Sequence, residues 1–188
     1  MSVGDVQGPV SPAAVVAAAT RHFLAGERVD MQVLATEVGV GRSTLYRWFG
    51  DRECILGHVL WALSEETLSW LADEAPDVGH DQVLATIEAF MAVTSGFAPL
   101  RRFLAAEPAV ALRTLLEPRS PLVVALGEWT GERLEAAGYG DDRAGARELA
   151  EVLVSVTSTY CWARIVAGSE ADVEGAMRAV RVLLRSPN

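Results

Sequence analysis

Apolar residues recur every three to four positions along most of the chain, and glycine, proline and aspartate divide this pattern into separate segments. Ser11 and Pro12 supply an N-cap and an N1 residue for the first segment, and Gly26 is placed to end it. Because strand patterns are nearly absent, the fold is predicted to be all-α. The predicted helices cover residues 12–25, 31–38, 41–49, 51–75, 81–97, 100–116 with a break at Pro108, 121–137, 142–167 and 171–184.

The second and third helices are short and are joined by the sequence GVG at residues 39–41. Two such helices have the size and turn chemistry of a helix-turn-helix, whose second helix enters the major groove of DNA. We therefore expect a three-helix DNA-binding unit over residues 10–56 and a larger helical bundle over residues 57–188. The alternative interpretation is an ordinary helical hairpin with a solvated surface.

The third helix separates apolar and hydrogen-bonding groups by its periodicity. At 3.6 residues per turn, Leu45 and Phe49 share the face that packs on Leu34 and Val38. The opposite face presents arginine and hydroxyl donors, which suit base edges and phosphates. The candidate DNA contacts are Gln32, Arg42, Ser43, Thr44, Tyr46, Arg47, Trp48 and Arg52. Arginine can bind guanine with two hydrogen bonds, whereas the Tyr46, Trp48 and Arg52 donors suit phosphates.

Charge is distributed unevenly along the 188 residues, whose formal net charge is −9. Residues 1–58 contain five arginines and six acidic residues, and the remainder contains 11 arginines and 19 acidic residues. The segment from Arg42 to Arg52 nevertheless has a net charge of +2. An acidic body excludes a protein that coats nucleic acid with its whole surface, so only a local DNA site is consistent with the charge pattern.

Composition favours a soluble cytoplasmic protein. The apolar content of 51% is sufficient for a core, yet no apolar run approaches the ~20 residues of a membrane span. The N-terminal residues lack the basic and apolar regions of a signal peptide. Cys54 and Cys161 are far apart in sequence and form no disulfide framework. These features predict no membrane partner.

The stretches AATRHFLAG and VLATEVGVGRSTLYRWFGDRECIL, within residues 13–56, resemble the TetR family of bacterial transcriptional regulators. The shared features are an alanine pair, Phe-x-x-Gly, the Gly-Val turn and Thr-Leu-Tyr-x-x-Phe followed by a basic residue. The resemblance implies that Tyr46 and Arg52 hold phosphates and that Arg42, Ser43 and Arg47 read bases. Gly41 departs from the family pattern, which usually has a capping Ser or Thr there.

The resemblance also implies that the later helices bind a small molecule and form a homodimer. LYRWFGDRE with LGHVLWAL is similar to the QsdR-type branch, whose members are associated with lactone catabolism. The nearly all-apolar stretch 148–168 and the amphipathic stretch 172–185 are predicted to form the four-helix interface of a twofold dimer. The alternative is that both are ordinary core helices.

Aromatic and hydroxyl side chains in the body predict an apolar pocket with few polar anchors. The candidate ligand contacts are Phe90, Thr94, Phe97, Phe103, Trp129, Arg133, Thr157, Tyr160 and Trp162. For each of them, core packing is an alternative, and helical hydroxyls can instead bond to carbonyls four residues earlier. No basic cluster suits a polyphosphate, so the expected effector is uncharged or weakly acidic and largely apolar.

Catalytic motifs are absent from the sequence: there is no GxSxG, HExxH, phosphate-binding glycine loop or paired CxxC. Cys54 and His58 lie four residues apart, but no further metal ligands accompany them. We therefore predict no enzyme activity, metal or cofactor. The predicted function is a homodimeric repressor that binds a palindromic DNA operator and is released by a small apolar effector, with a lactone as one candidate. The alternatives are a DNA-binding regulator without effector response and a DNA-independent helical enzyme or sensor.

Overall fold

The computed structural model describes residues 10–73, 79–140 and 142–185. These residues form helices and connecting turns without a strand, which confirms the all-α prediction. The helices are α1 Pro12–Ala25, α2 Met31–Val38, α3 Arg42–Phe49, α4 Arg52–Asp73, α5 His80–Ser95, α6 Ala98–Ala106, α7 Pro108–Leu116, α8 Pro121–Ala136, α9 Arg143–Val166 and α10 Val173–Arg185.

Local capping explains where the first two helices begin and end. The Ser11 hydroxyl accepts a hydrogen bond from the Ala14 N–H at 3.2 Å, and the Asp30 carboxylate accepts two from the N–H groups at the start of α2. These two backbone hydrogen bonds lower the pKa of Asp30. Gly26 and Gly39 end α1 and α2 with φ of 78° and 74°, a left-handed conformation that glycine adopts without strain.

Three predicted boundaries have different outcomes in the structure. The predicted α4 terminus at Ala75 lies outside the described residues. Helix α5 ends at Ser95 rather than Phe97, because Phe97 has an extended backbone and becomes the N-cap of α6. The break at Pro108 is confirmed, and Glu107 is the single residue between α6 and α7.

Helix α4 runs through both predicted units, since the boundary between residues 56 and 57 falls within it. It packs against α1 and α3 of the N-terminal unit and against α5, α7 and α8 of the body. Gly57 permits the close approach of α8: a Cβ at this position would lie 2.7 Å from the Pro121 Cδ. The DNA-binding unit and the body are therefore joined by a continuous, tightly packed helix.

Helix α9 is long and apolar enough to span a membrane. The bent pair of α5 and α6 is also long and apolar enough when it is counted as one segment. The apolar composition of α9 has a structural explanation within the body. Ala146, Ala150 and Leu153 are buried, and α9 packs extensively along α8. Core helices of soluble proteins commonly have such apolar composition.

Candidate nucleic-acid interface and ligand cavity

Helices α2 and α3 form the helix-turn-helix, with α3 as its second helix. Leu34 and Leu45 are fully buried and Phe49 is nearly so, so these side chains fasten α3 to the rest of the unit. Val38 is partly buried against the same core. Gly41 is the N-cap of α3 and makes no side-chain hydrogen bond. The first turn of α3 therefore has no side-chain cap, and its positive dipole end is favourable for a phosphate.

The side chains predicted to contact DNA are largely exposed on α3. Arg42, Ser43, Tyr46 and Arg47 are exposed, and Thr44 is half-buried beside them. Gln32 is exposed at the start of α2. The structure thus brings these six predicted contacts, from Gln32 to Arg47, onto the two helices of the motif.

Arg42 and Tyr46 are paired one helical turn apart. An Arg42 Nη2 hydrogen bond reaches the Tyr46 hydroxyl at 3.2 Å, and the guanidinium carbon lies 5.4 Å from the ring centre. This pair pre-orders two donors on the exposed face, because the guanidinium stacks on a partner that also orients it.

Trp48 and Arg52 are placed differently from the other candidates. Trp48 is half-buried and packs against the core. Arg52 lies at the first residue of α4, and its guanidinium turns toward the body. Its Nη1 and Nη2 donate to the two carboxylate oxygens of Glu107 at 2.7 and 2.6 Å, and its Nε donates to the Val29 carbonyl at 2.5 Å. Arg52 is therefore engaged with protein groups rather than displayed with α3.

A charged cluster joins α1 to α2. The His22 Nδ1 lies 2.5 Å from a Glu27 carboxylate oxygen, and its Nε2 lies 2.7 Å from one of Glu37. Arg21 donates to the other Glu37 oxygen at 2.6 Å. The Glu37 hydrogen bond raises the pKa of His22 against the opposing effect of desolvation, and Glu27 adds to the rise. A protonated imidazole satisfies both carboxylates because each ring nitrogen then donates.

The body encloses a cavity among α4–α9. The unfilled space between its lining atoms is about 780 Å³, including its mouth, but the centre of a water molecule can reach only about 80 Å³ of it. Several waters fit, and a larger ligand must push side chains apart. Apart from the indole groups of two tryptophans, the polar groups of the described lining residues are hydroxyls and one thiol. They belong to Ser64, Thr86, Thr94, Thr130, Thr157, Ser158 and Cys161.

Five of the nine predicted ligand contacts line this cavity: Phe90, Thr94, Trp129, Thr157 and Trp162. The Thr94 and Thr157 hydroxyls donate to the Phe90 and Leu153 carbonyls at 2.6 and 2.8 Å, which matches the alternative given for helical hydroxyls. Their oxygens still have acceptor capacity for a ligand.

The other four predicted contacts lie outside the cavity wall. Phe103 packs edge-on against Phe23 of α1, with ring centres 5.7 Å apart, so it joins the DNA-binding unit to α6. Phe97 caps α6, and Arg133 stacks over Trp129 at 5.1 Å. The partly buried Tyr160 packs against the core at the side of α9. Helical spacing alone did not distinguish the cavity face from these neighbouring faces.

Sequence reasoning missed several lining groups, including Ser64 on α4 and Cys161 on α9. Residues Thr159–Ala163 form a π-helical stretch within α9, and this stretch carries both Cys161 and Trp162. One extra residue per turn changes which side chains face the cavity, and 3.6-residue periodicity does not reveal it. Burial raises the pKa of the Cys161 thiol to about 11, which leaves it protonated and unreactive at neutral pH.

Cys54 and His58 do not form a reactive or metal-binding centre. Burial raises the pKa of Cys54 and lowers that of His58, and the His58 ring packs edge-on against Phe49 at 5.7 Å. Among the described residues, no group of three or more His, Cys, Asp or Glu side chains could hold a metal ion.

An exposed helix-turn-helix attached to a helical body with an internal cavity is the arrangement of a helix-turn-helix transcriptional regulator. The sequence-family model of the tetracyclin repressor-like C-terminal domain matches residues 78–185, which is more than half of the chain. The chain belongs to the TetR family of transcriptional regulators, whose members are dimeric, DNA-binding and ligand-binding. A search of curated protein sequences found no match.

Solved structures support the same assignment. The chain is similar to the TetR-family transcriptional repressor QsdR of R. erythropolis, with 29% identity, a TM-score of 0.81 and coverage of 93% of this chain and 95% of that one. The fold is shared with AlkX of Dietzia sp. strain DQ12-45-1b, a repressor implicated in n-alkane biodegradation, at 23% identity, a TM-score of 0.62 and coverage of 92% and 95%. The multidrug binding protein EbrR, solved with imidazole, has 17% identity, a TM-score of 0.55 and coverage of 94% and 96%.

Proposed function

We propose that this chain is a homodimeric repressor that binds a near-palindromic operator and releases it when an uncharged, largely apolar effector occupies the cavity. The DNA-binding part of the proposal rests on the two faces of α3. Its exposed face presents Arg42, Ser43, Tyr46 and Arg47. Leu45 and Phe49 on its opposite face are buried and anchor the helix to the core. Such a repressor acts in the cytoplasm.

Within this interface the exposed residues have two kinds of role. Arg42, Ser43 and Arg47 read base edges, with Gln32 and Thr44 supporting them at the groove. Tyr46 and the indole N–H of Trp48 hold phosphates. Arg42 is pre-ordered by Tyr46, so it is the strongest candidate for a two-hydrogen-bond contact with guanine.

The dimer is formed by α9 and α10. Val152 on α9 is 47% exposed, and Ser155 and Thr159 continue the same face. A twofold pairing of these helices sets the two α3 helices roughly 34–36 Å apart, which is one turn of DNA. Val152→Glu places a charge in this interface, and sedimentation analysis should then show a larger monomer fraction. A wild-type monomer would contradict the dimer proposal.

The DNA-binding proposal is tested by selecting duplexes from a random-sequence library and measuring their affinity at several salt concentrations. Wild-type protein should recover an inverted repeat and bind it with a steep salt slope. Arg42→Ala should relax base preference at its position by about 1–3 kcal/mol. Tyr46→Phe should weaken binding to all duplexes and relax this preference only in part, because it removes the hydrogen bond to Arg42 but keeps the ring on which the guanidinium stacks. Recovery of no preferred duplex would overturn the proposal.

The effector proposal rests on the absence of any charged side chain among the described residues that line the cavity. γ-Decalactone and decanoate are suitable probes because they have the same number of carbon atoms and differ in charge. The lactone should bind at least about tenfold more tightly, since the described lining offers no positively charged partner for a buried carboxylate. Quenching of tryptophan fluorescence measures both affinities, and equal affinities would contradict the proposed ligand class.

Release of DNA requires the effector to prefer the DNA-incompetent conformation. A preference of about 3 kcal/mol weakens operator binding roughly 150-fold. Helix α4 connects the cavity to the DNA-binding unit and transmits the change. A regulator without effector response is the second candidate, and the narrow reachable space of the cavity favours it. Titration of the protein–duplex complex with γ-decalactone distinguishes the two, because the second candidate retains its DNA.

A further inference from the structure

Arg52 and Glu107 connect three separate elements of the molecule. Arg52 begins α4, and its Nε hydrogen bond reaches Val29 in the loop between α1 and α2. Glu107 is the single residue between α6 and α7, and it accepts both terminal guanidinium nitrogens. The pair therefore joins the DNA-binding unit to the α6–α7 junction.

The geometry of this pair is that of a strong interaction. Two parallel N–H···O bonds of 2.6 and 2.7 Å form a forked contact, and the two side chains are only 17% and 24% exposed. Such charge-assisted pairs are geometrically specific, and partial burial limits their screening by salt. In agreement, the Arg52 hydrogen bonds lower the pKa of Glu107.

Glu107 also connects two helices that border the cavity, although it does not line the cavity itself. Helix α6 contributes Leu100 to the cavity and α7 contributes Leu115, so the two helices that flank Glu107 both border the ligand space. A ligand that separates these helices displaces the residue between them. The same residue holds the guanidinium that orients the DNA-binding unit.

We propose that Glu107 is a positioning residue for DNA binding: through the forked pair with Arg52 it holds the helix-turn-helix in its DNA-competent orientation on the body. This inference rests on the proposed DNA-binding function. Arg52 then serves as a clamp within the protein rather than as a phosphate contact, in contrast to what the family resemblance implies for this position.

The first test compares Glu107→Gln with wild type on the duplex recovered from random selection. Loss of the carboxylate should weaken binding about tenfold, or about 1.4 kcal/mol, because the unit loses its fixed orientation. The salt slope should stay unchanged, since no phosphate contact is removed. Unchanged or tighter binding by Glu107→Gln would overturn the proposal.

A charge exchange separates the clamp from a phosphate contact. The double variant Arg52→Glu with Glu107→Arg rebuilds an ion pair but leaves no cation at position 52. The clamp predicts that the exchange recovers part of the affinity lost in Glu107→Gln, because the ion pair is rebuilt while the hydrogen bond to the Val29 carbonyl is not. A phosphate contact predicts no recovery and a salt slope reduced by about one per subunit, which would contradict the clamp.

Glu53→Gln is the matched control on the neighbouring residue. Glu53 also forms a forked pair, with Arg113 of α7 at 2.5 and 2.8 Å, but this pair does not contact the α1–α2 loop. Its loss should change the affinity less than about twofold. An effect equal to that of Glu107→Gln would overturn the specific role of Glu107.

A readout without DNA keeps the two proposals distinguishable. In the free protein, Glu107→Gln should accelerate hydrogen exchange in the loop around Val29, whereas Glu53→Gln should not. If wild-type protein selects no duplex but this exchange difference is present, the DNA-binding proposal fails together with the role of Glu107 in DNA binding, and only the structural link between the helix-turn-helix unit and the body remains. If wild-type protein binds DNA and the exchange difference is absent, the clamp fails alone.

Discussion

The DNA-binding unit and the body place their polar groups in opposite ways. In the unit, buried leucine and phenylalanine side chains support an exposed arginine and tyrosine pair. In the body, the charged groups are outside, while hydroxyl groups and two tryptophans surround an unfilled cavity. A rigid support suits recognition of a fixed DNA surface, whereas unfilled space permits two arrangements of the surrounding helices. The following experiments act on this difference.

Leu45→Ala should have the largest effect. Leu45 is fully buried at the base of α3, so its truncation should lower the free energy of unfolding by about 2–5 kcal/mol and abolish DNA binding. Leu153→Ala is the matched control, because Leu153 is equally buried but borders the cavity. This substitution should lower the free energy of unfolding by less than Leu45→Ala does, since part of the Leu153 side chain already lacks packing partners. Urea denaturation measures the free energy of unfolding of both variants, and a larger decrease for Leu153→Ala than for Leu45→Ala would contradict the comparison.

Gly57→Ala tests the junction between the two regions. In an isolated helix this change is stabilising, but here the new methyl group meets Pro121 and should destabilise the protein by about 1–3 kcal/mol. Gly127 on α8 serves as the control, because the nearest atom to a Cβ there lies at 3.9 Å. Gly127→Ala should be stabilising by about 0.5–1 kcal/mol. Thermal unfolding that shifts both variants in the same direction would contradict the predicted close contact at Gly57.

Thr130→Leu tests whether the unfilled space of the body is functional. Thr130 is 8% exposed and lines the cavity, so a larger apolar side chain occupies space that a ligand needs. Binding of γ-decalactone should weaken by about tenfold, while affinity for the selected duplex stays at the wild-type level. Tryptophan fluorescence and duplex titration measure the two properties. Loss of duplex affinity without loss of lactone binding would reverse the assignment of the two regions.

A pH titration should give the smallest effect and should act on the DNA-binding unit. The folded pKa of His22 is raised by Glu37 and Glu27. The stabilisation is therefore fully present below the unfolded pKa of about 6.5 and is lost as pH rises through the folded pKa. His22→Gln should remove this loss at pH values above about 6.5. Denaturation curves at successive pH values measure it, and an identical pH dependence in the variant would exclude His22 as its source.

Local sequence signals predicted the helices of the DNA-binding unit well, because Ser11, Asp30, Gly26 and Gly39 determine caps within a few residues of themselves. The exposed face of α3 followed from periodicity for the same reason. The residues that line the cavity were predicted less completely, since Phe97, Phe103, Arg133 and Tyr160 lie on faces that helical spacing does not separate from the cavity face. The role of Arg52 in the pair with Glu107 could not be inferred from positions 55 residues apart.

The sequence by itself determined the all-α class, the helix-turn-helix and the arrangement of anchoring and exposed residues on α3. Capping, turn conformation and helical periodicity act over one or two turns of chain, so a short stretch contains the necessary information. The tertiary structure decided which side chains surround the cavity, why Gly57 must be small and where the Arg52 guanidinium points. Each of these depends on close packing between helices that are distant in sequence, and only the folded chain brings their atoms into contact.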